Sequence, residues 1–144
     1  MDRVRMGIIG VGSMGTAHAK RIINGQVPRC ELTAVCDLDT SRFKDFPGIA
    51  AYEDSAALIR SGKVDAVLVA TPHYGHTTIG IDALQNGLHL LVEKPVSVHK
   101  ADAERLLAAH TDPKLVFAAM FNQRTDPHYQ KIKHLISSGE LGEI

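Results

Sequence analysis

Short apolar runs alternate with amphipathic stretches along the whole chain. Residues 4–9 are apolar except for Arg5, and residues 13–24 carry Met14, Ala17, Ile22 and Ile23 at helical intervals, with Gly25 as the stop. Strand, turn and helix are the predicted order. Residues 31–37 form a second strand through Leu32, Ala34, Val35 and Cys36, and Asp39, Thr40 and Ser41 offer caps for a short helix ending near Pro47. Residues 50–52 predict a brief third strand, and Asp54 caps a helix through Arg60 that Gly62 ends. Residues 64–70 are apolar but for Asp65, the pattern of a strand covered on both sheet faces. Thr71-Pro72 stops it. Residues 75–86 then read as a helix with Ile79, Ile81 and Leu84 inward and Gly87 in the C-terminal position. Residues 88–93 are the next strand, Ser97 caps a helix through His110, residues 114–120 add a strand, and Asp126 opens a last helix that Gly139 stops.

Strands alternating with helices predict βαβ crossovers, hence an α/β fold with a doubly wound, mainly parallel sheet of about five or six strands and helices on both faces. One domain over residues 1–144 is expected, since a chain of this size buries roughly 68–70% of its unfolded surface. Net charge is zero and the sequence pI is about 7.1, so composition shows no footprint for nucleic acid or an anionic membrane. No apolar run reaches transmembrane length. The first nineteen residues have a superficial signal-peptide order, but Gly7, Gly10, Gly12 and Gly15 thin the apolar stretch, and a strand with a phosphate turn accounts for the same residues. Cys30 and Cys36 stand at the two ends of one strand, roughly 20 Å apart and beyond disulfide reach. Buried thiols in a reducing, cytoplasmic compartment are expected.

Chemistry concentrates at strand ends. Gly10-Val-Gly12-Ser-Met-Gly15 matches G-x-G-x-x-G after a strand and at the start of a helix, the context of a Rossmann-type dinucleotide site. Gly10 permits the tight turn, Gly12 lets a pyrophosphate approach, and Gly15 allows helix-to-strand packing. The N–H groups of Ser13, Met14 and Gly15 then face the anion. No Gly-Lys-Ser/Thr follows, which excludes a P-loop. Asp37 lies 22 residues after Gly15, where a carboxylate accepts the ribose hydroxyls of adenosine. It favours NAD over the 2′-phosphate of NADP, which Arg42 would have to rescue.

Thr71, Pro72, His73 and His76 follow the predicted middle strand and should border the cofactor crevice, His76 by bonding a cofactor oxygen or by starting the helix. Two histidines without a third ligand are poor support for zinc, so no metal is expected. The remaining six histidines lie mainly in helices or at strand starts, where solvated or structural roles are the default. Glu93-Lys94-Pro95 ends an apolar strand that proline cannot continue. Alternation points Glu93 and Lys94 to opposite sides. Glu93 is placed against the nicotinamide ribose and Lys94 against substrate, as the catalytic ammonium.

In their order along the chain these motifs resemble the glucose-fructose oxidoreductase, inositol dehydrogenase and rhizopine-catabolism family (Gfo/Idh/MocA). The residues that carry the resemblance are the glycine fingerprint, Asp37, Ala70-Thr-Pro-His73 with His76, Ala83-Leu84 with Gly87-Leu-His89, Glu93-Lys-Pro95, Met120-Phe-Asn-Gln-Arg124 and residues 139–144. His73 stands where asparagine is frequent in that family. The resemblance implies that Lys94 is catalytic and that Ala70 and Asn122 join the cofactor contacts. It further implies NAD, with NADP as the second choice, and a hydride exchanged with a secondary hydroxyl or ketone of a sugar, cyclitol or related polyol. The family's substrate-binding C-terminal domain, which supplies a catalytic Asp and His and often the homo-oligomer contacts, is absent from these 144 residues, so turnover by this chain alone is not expected. A non-catalytic dinucleotide sensor on the same fold is the alternative. It needs the glycines and Asp37 but has no use for Lys94. A Rossmann-type methyltransferase requires neither Gly15 nor Glu-Lys-Pro.

Overall fold

The computed structural model describes residues 3–143. Six strands, β1 (Val4–Ile9), β2 (Cys30–Cys36), β3 (Ala50–Tyr52), β4 (Ala66–Val69), β5 (His89–Val92) and β6 (Phe117–Ala119), form one sheet in the order β3-β2-β1-β4-β5-β6. Every neighbouring pair is parallel. Parallel strands need crossovers, and these are α1 (Ser13–Ile23), the 3-10 turn Thr40–Asp45, α2 (Ser55–Ile59), α3 (His76–Gln85) and α4 (Lys100–Ala109), with α5 (Pro127–Ser137) after β6. Strand order reverses between β1 and β4, so a crevice opens beyond the carboxyl ends of these strands.

Alternation along the strands builds one apolar cluster on each face. Ile8, Val35 and Leu68 pack with Val11, Ala19 and Ile22 on the α1 side, while Ile9, Val67, Val69, Leu90 and Val92 pack with Leu58, Leu84 and Leu106 from α2, α3 and α4. Helix α3 comes close because Gly80 has no side chain: a Cβ there would meet Leu106 Cδ1 at 2.8 Å. Near its amino end, β1 is tied to the residue before β4 by Arg5, whose Nε and Nη2 donate to both Asp65 oxygens at 2.6–3.2 Å.

Predicted and observed elements agree strand by strand, with informative departures. Asp39 and Asp54 cap as read, accepting from the backbone N–H of Ser41 and Ala57, and Asp126, read as opening the last helix, caps it by accepting from His128 N–H. Ser97 does not cap α4, which starts at Lys100 after an extended His99. The Ser97 hydroxyl is instead within 2.9 Å of Thr77 Oγ1. Ile79 and Ile81 are only half-buried, the innermost face of α3 being His76, Gly80, Ala83 and Leu84. Cys36 is buried, whereas Cys30, at the outer end of β2, is only partly so. None of the described α5 residues is buried, and Tyr129, Ile132 and Ile136 along one side are about half exposed.

Candidate dinucleotide site

The candidate residues lie on loops that follow the carboxyl ends of β1, β2, β4, β5 and β6, at one end of the sheet. The first is the glycine turn after β1. Gly10 has φ +90°, and a Cβ would lie 2.8 Å from the Ala70 carbonyl and from Thr71 N, because β4 runs alongside. A Cβ on Gly15 would collide with the Gly10 carbonyl oxygen, so only glycine lets α1 begin this close to its own turn. Around Gly12 the space is open, with only Arg42 Nη1 within 4 Å of a Cβ, at 3.2 Å. Helix α1 has Gly12 at its N-cap and no side-chain cap, so Ser13, Met14 and Gly15 present N–H groups with no intrahelical acceptor. That cradle fits a pyrophosphate.

Asp37 follows β2. Its Oδ2 accepts from Val11 N at 2.8 Å and from Arg42 Nη1 at 3.2 Å, and its Oδ1 accepts from Asp39 N at 2.9 Å. A carboxylate offers about four acceptor sites, so a ribose diol needs the remaining one and the place of Arg42. The guanidinium, 41% exposed, is free to swing out. Asp39 shares it through Nε at 3.1 Å, and hydrogen bonds from Ser41 and Arg42 hold the Asp39 carboxyl below its ordinary range.

After β4, Ala70 and Thr71 are partly buried, and Pro72, His73 and Tyr74 are exposed at the rim. His76 departs from expectation. Its ring is fully buried, with Nδ1 2.9 Å from the Pro95 carbonyl and Nε2 3.0 Å from the Thr71 carbonyl, which leaves no ring nitrogen for a cofactor oxygen. It starts α3, the other role read for it, and braces two loops. The His73 and His76 rings meet edge to face at 5.5 Å, and among the described residues no group of three potential ligands could hold a metal.

After β5 the Lys94-Pro95 peptide bond is cis and Lys94 is exposed. Glu93, placed by the sequence against the nicotinamide ribose, is 5% exposed and turns toward α1, with both carboxylate oxygens already engaged by protein donors. Its Oε1 accepts from His18 Nε2 at 2.7 Å and its Oε2 accepts from the Lys94 backbone N–H at 3.0 Å. Alternation did set Glu93 and Lys94 apart, one inward and one out. Asn122 stands exposed in a 3-10 turn after β6.

His18 falls under the solvated or structural default read for the six remaining histidines, although a sharper signal existed. It falls on the buried stripe Gly15, His18, Ala19, Ile22 of α1, where a polar ring has to find a partner.

Comparison with known proteins agrees with this fold. Residues 4–121 match the Gfo/Idh/MocA model, described as an oxidoreductase family with an NAD-binding Rossmann fold. An inositol 2-dehydrogenase of Rubrobacter xylanophilus is 34% identical over 98% of this chain, and a myo-inositol 2-dehydrogenase of Thermotoga maritima is 30% identical over 97%. The chain spans 42% of each of these relatives. Among solved structures, scyllo-inositol dehydrogenase from Lactobacillus casei, with bound NAD(H) and scyllo-inositol, superposes with a TM-score of 0.86 at 26% identity, covering 99% of this chain and 43% of that one.

Proposed function

This chain belongs to the Gfo/Idh/MocA oxidoreductase family with an NAD-binding Rossmann fold, and on that premise we propose that it is the cofactor half of a dehydrogenase acting on a secondary hydroxyl of a cyclitol or related polyol. The carrying observation is Lys94: an exposed lysine after the carboxyl end of β5, at the same end of the sheet as the glycine turn after β1, from which β4 alone separates it. The similarity to inositol dehydrogenases supports the substrate class. NAD, when bound, supplies the hydride acceptor.

In this reading, Ser13, Met14 and Gly15 bind the pyrophosphate through backbone N–H groups, and Asp37 takes the adenosine ribose. Asp37 selects NAD because a 2′-phosphate would bring a second anion against it, with NADP admitted only through Arg42. Ala70 to His73 and Asn122 border the nicotinamide side. Lys94 Nζ holds a proton against the substrate oxygen, stabilising an alkoxide or polarising a carbonyl. His76 and Glu93 shape the site from behind rather than by touching the cofactor.

A separate substrate-binding unit would complete the site and supply further acid–base groups and the homo-oligomer contacts. The chain's 42% share of its relatives and the half-exposed Tyr129, Ile132 and Ile136 of α5 support it. Among the described residues no helix is long and apolar enough to cross a membrane. We assign the protein to the cytoplasm on its free thiols.

The test is Lys94→Ala in the full-length protein with NAD and a series of cyclitols. The expected outcome is a fall in kcat of about 10²–10⁴-fold, with NAD bound as before and preferred over NADP. Undiminished kcat would remove Lys94 from the chemistry. A protein that binds NAD but turns over no polyol would point to the sensor alternative.

A further inference from the structure

Buried carboxylates are rare unless paired, and Glu93 spends both oxygens in ways that concern Lys94. Glu93 is 5% exposed and its partner His18 is 8% exposed. Oε1 accepts from His18 Nε2 on the second turn of α1, 75 residues away in sequence. Oε2 accepts from the Lys94 N–H. One carboxylate therefore joins the helix that carries the phosphate cradle to the amide of the lysine that meets substrate. Downstream, Pro95 O is held by His76 and Ser97 by Thr77. The exposed Lys94 thus leaves a backbone gripped on both sides.

Folding alone gives little reason for this arrangement, since apolar residues of similar volume often replace a buried pair without loss. We propose that His18 is a positioning residue for Lys94. By holding Oε1 it sets the Glu93 rotamer, which presents Oε2 to the Lys94 N–H and so fixes the direction in which the lysine side chain leaves the strand. The same link makes the lysine's position follow that of α1. Misplacement of a reacting group by about 1 Å costs on the order of 100-fold in rate, so a two-bond anchor at this peptide matters to catalysis. The inference rests on the proposed role of Lys94, and the anchor itself is measurable without turnover.

The test uses the full-length protein and two readouts. Hydrogen–deuterium exchange at the Lys94 amide, read by fragmentation mass spectrometry, should speed up about tenfold or more in Glu93→Ala and stay within about threefold of wild type in Glu93→Gln, whose carbonyl still accepts. In kinetics, His18→Leu should lower kcat about 10–100-fold while KM for NAD moves less than about threefold, and His18→Gln, which keeps an N–H donor, should restore most of the rate. If His18→Leu fails to fold because it strands the carboxylate, the double variant His18→Leu/Glu93→Gln removes that charge. Its Lys94 amide should exchange faster than in Glu93→Gln alone. Equal exchange in those two proteins, unchanged exchange in Glu93→Ala, or a rate loss in His18→Leu that His18→Gln does not restore would overturn the proposal. A wild-type protein with a protected Lys94 amide but no polyol turnover would instead overturn the dehydrogenase reading and leave the anchor standing.

Discussion

Gly12→Ala separates cofactor binding from folding, and Gly10→Ala supplies the contrast. Gly12 has φ −68°, a value any residue adopts, and its new methyl would meet only Arg42 Nη1, at 3.2 Å, on a side chain 41% exposed. The guanidinium can shift, so stability should change by no more than about 0.5 kcal/mol. The methyl does occupy the space through which a pyrophosphate reaches the N–H groups of α1. Loss of one charge-assisted hydrogen bond, ~1.5–3 kcal/mol, weakens NAD binding roughly 10- to 100-fold. Gly10 differs on both counts. Its φ of +90° strains any L side chain, and the methyl would press at 2.8 Å on the backbone of Ala70 and Thr71, which no rotamer change relieves. Strain of ~1–3 kcal/mol and overpacking of similar size sum to roughly 2–6 kcal/mol, a large share of the ~5–15 kcal/mol that holds a domain together. Urea midpoints and calorimetric NAD titration of both variants provide the assay. Equal destabilisation by the two substitutions, or wild-type NAD affinity in Gly12→Ala, would refute the division of roles between these glycines.

Two predictions concern groups away from the cradle. Burial, with Asp54 and Asp37 adding, pushes the Cys36 thiol up to about 12, and burial raises Cys30 as well. A chromogenic disulfide reagent at about pH 8 should therefore react slowly, and first at the half-buried Cys30, with Cys36 released only on unfolding; prompt modification of Cys36 in the folded protein would contradict this. The hydrogen bonds from Arg5 hold the Asp65 carboxyl below its ordinary value of 3.8. A depressed folded value contributes stability that is present above 3.8 and lost as pH falls through the folded value. Asp65→Asn should thus lower the urea midpoint at neutral pH, with the gap to wild type closing on acidification below that point; a gap independent of pH would remove the linkage.

Much of this protein was legible because the signals are local. Hydrophobic periodicity depends on neighbours a few residues apart, and it located β1 through β6 and α1 through α5. The glycine fingerprint and Asp37 fall within one βαβ unit, and Lys94 follows from the proline that stops β5. Ser97 was misread for the opposite reason: it sits at a plausible cap position, but a hydroxyl from α3 engages it. For His76 the sequence leaves both a cofactor oxygen and a helix start open, because it shows a loop histidine but not the two carbonyls that enclose it.

The chain's local patterning by itself determined the alternation of strands and helices, the phosphate turn and the exposed lysine, since each depends on contacts or backbone angles within a few residues. Tertiary structure alone decided what stands behind that lysine. Strand order puts β4 between β1 and β5 and α1 on the face toward which Glu93 turns, which brings His18 within 2.7 Å of a carboxylate 75 residues away. A hydrogen bond of that kind leaves no periodic trace, because it depends on where two elements pack and not on the spacing within either.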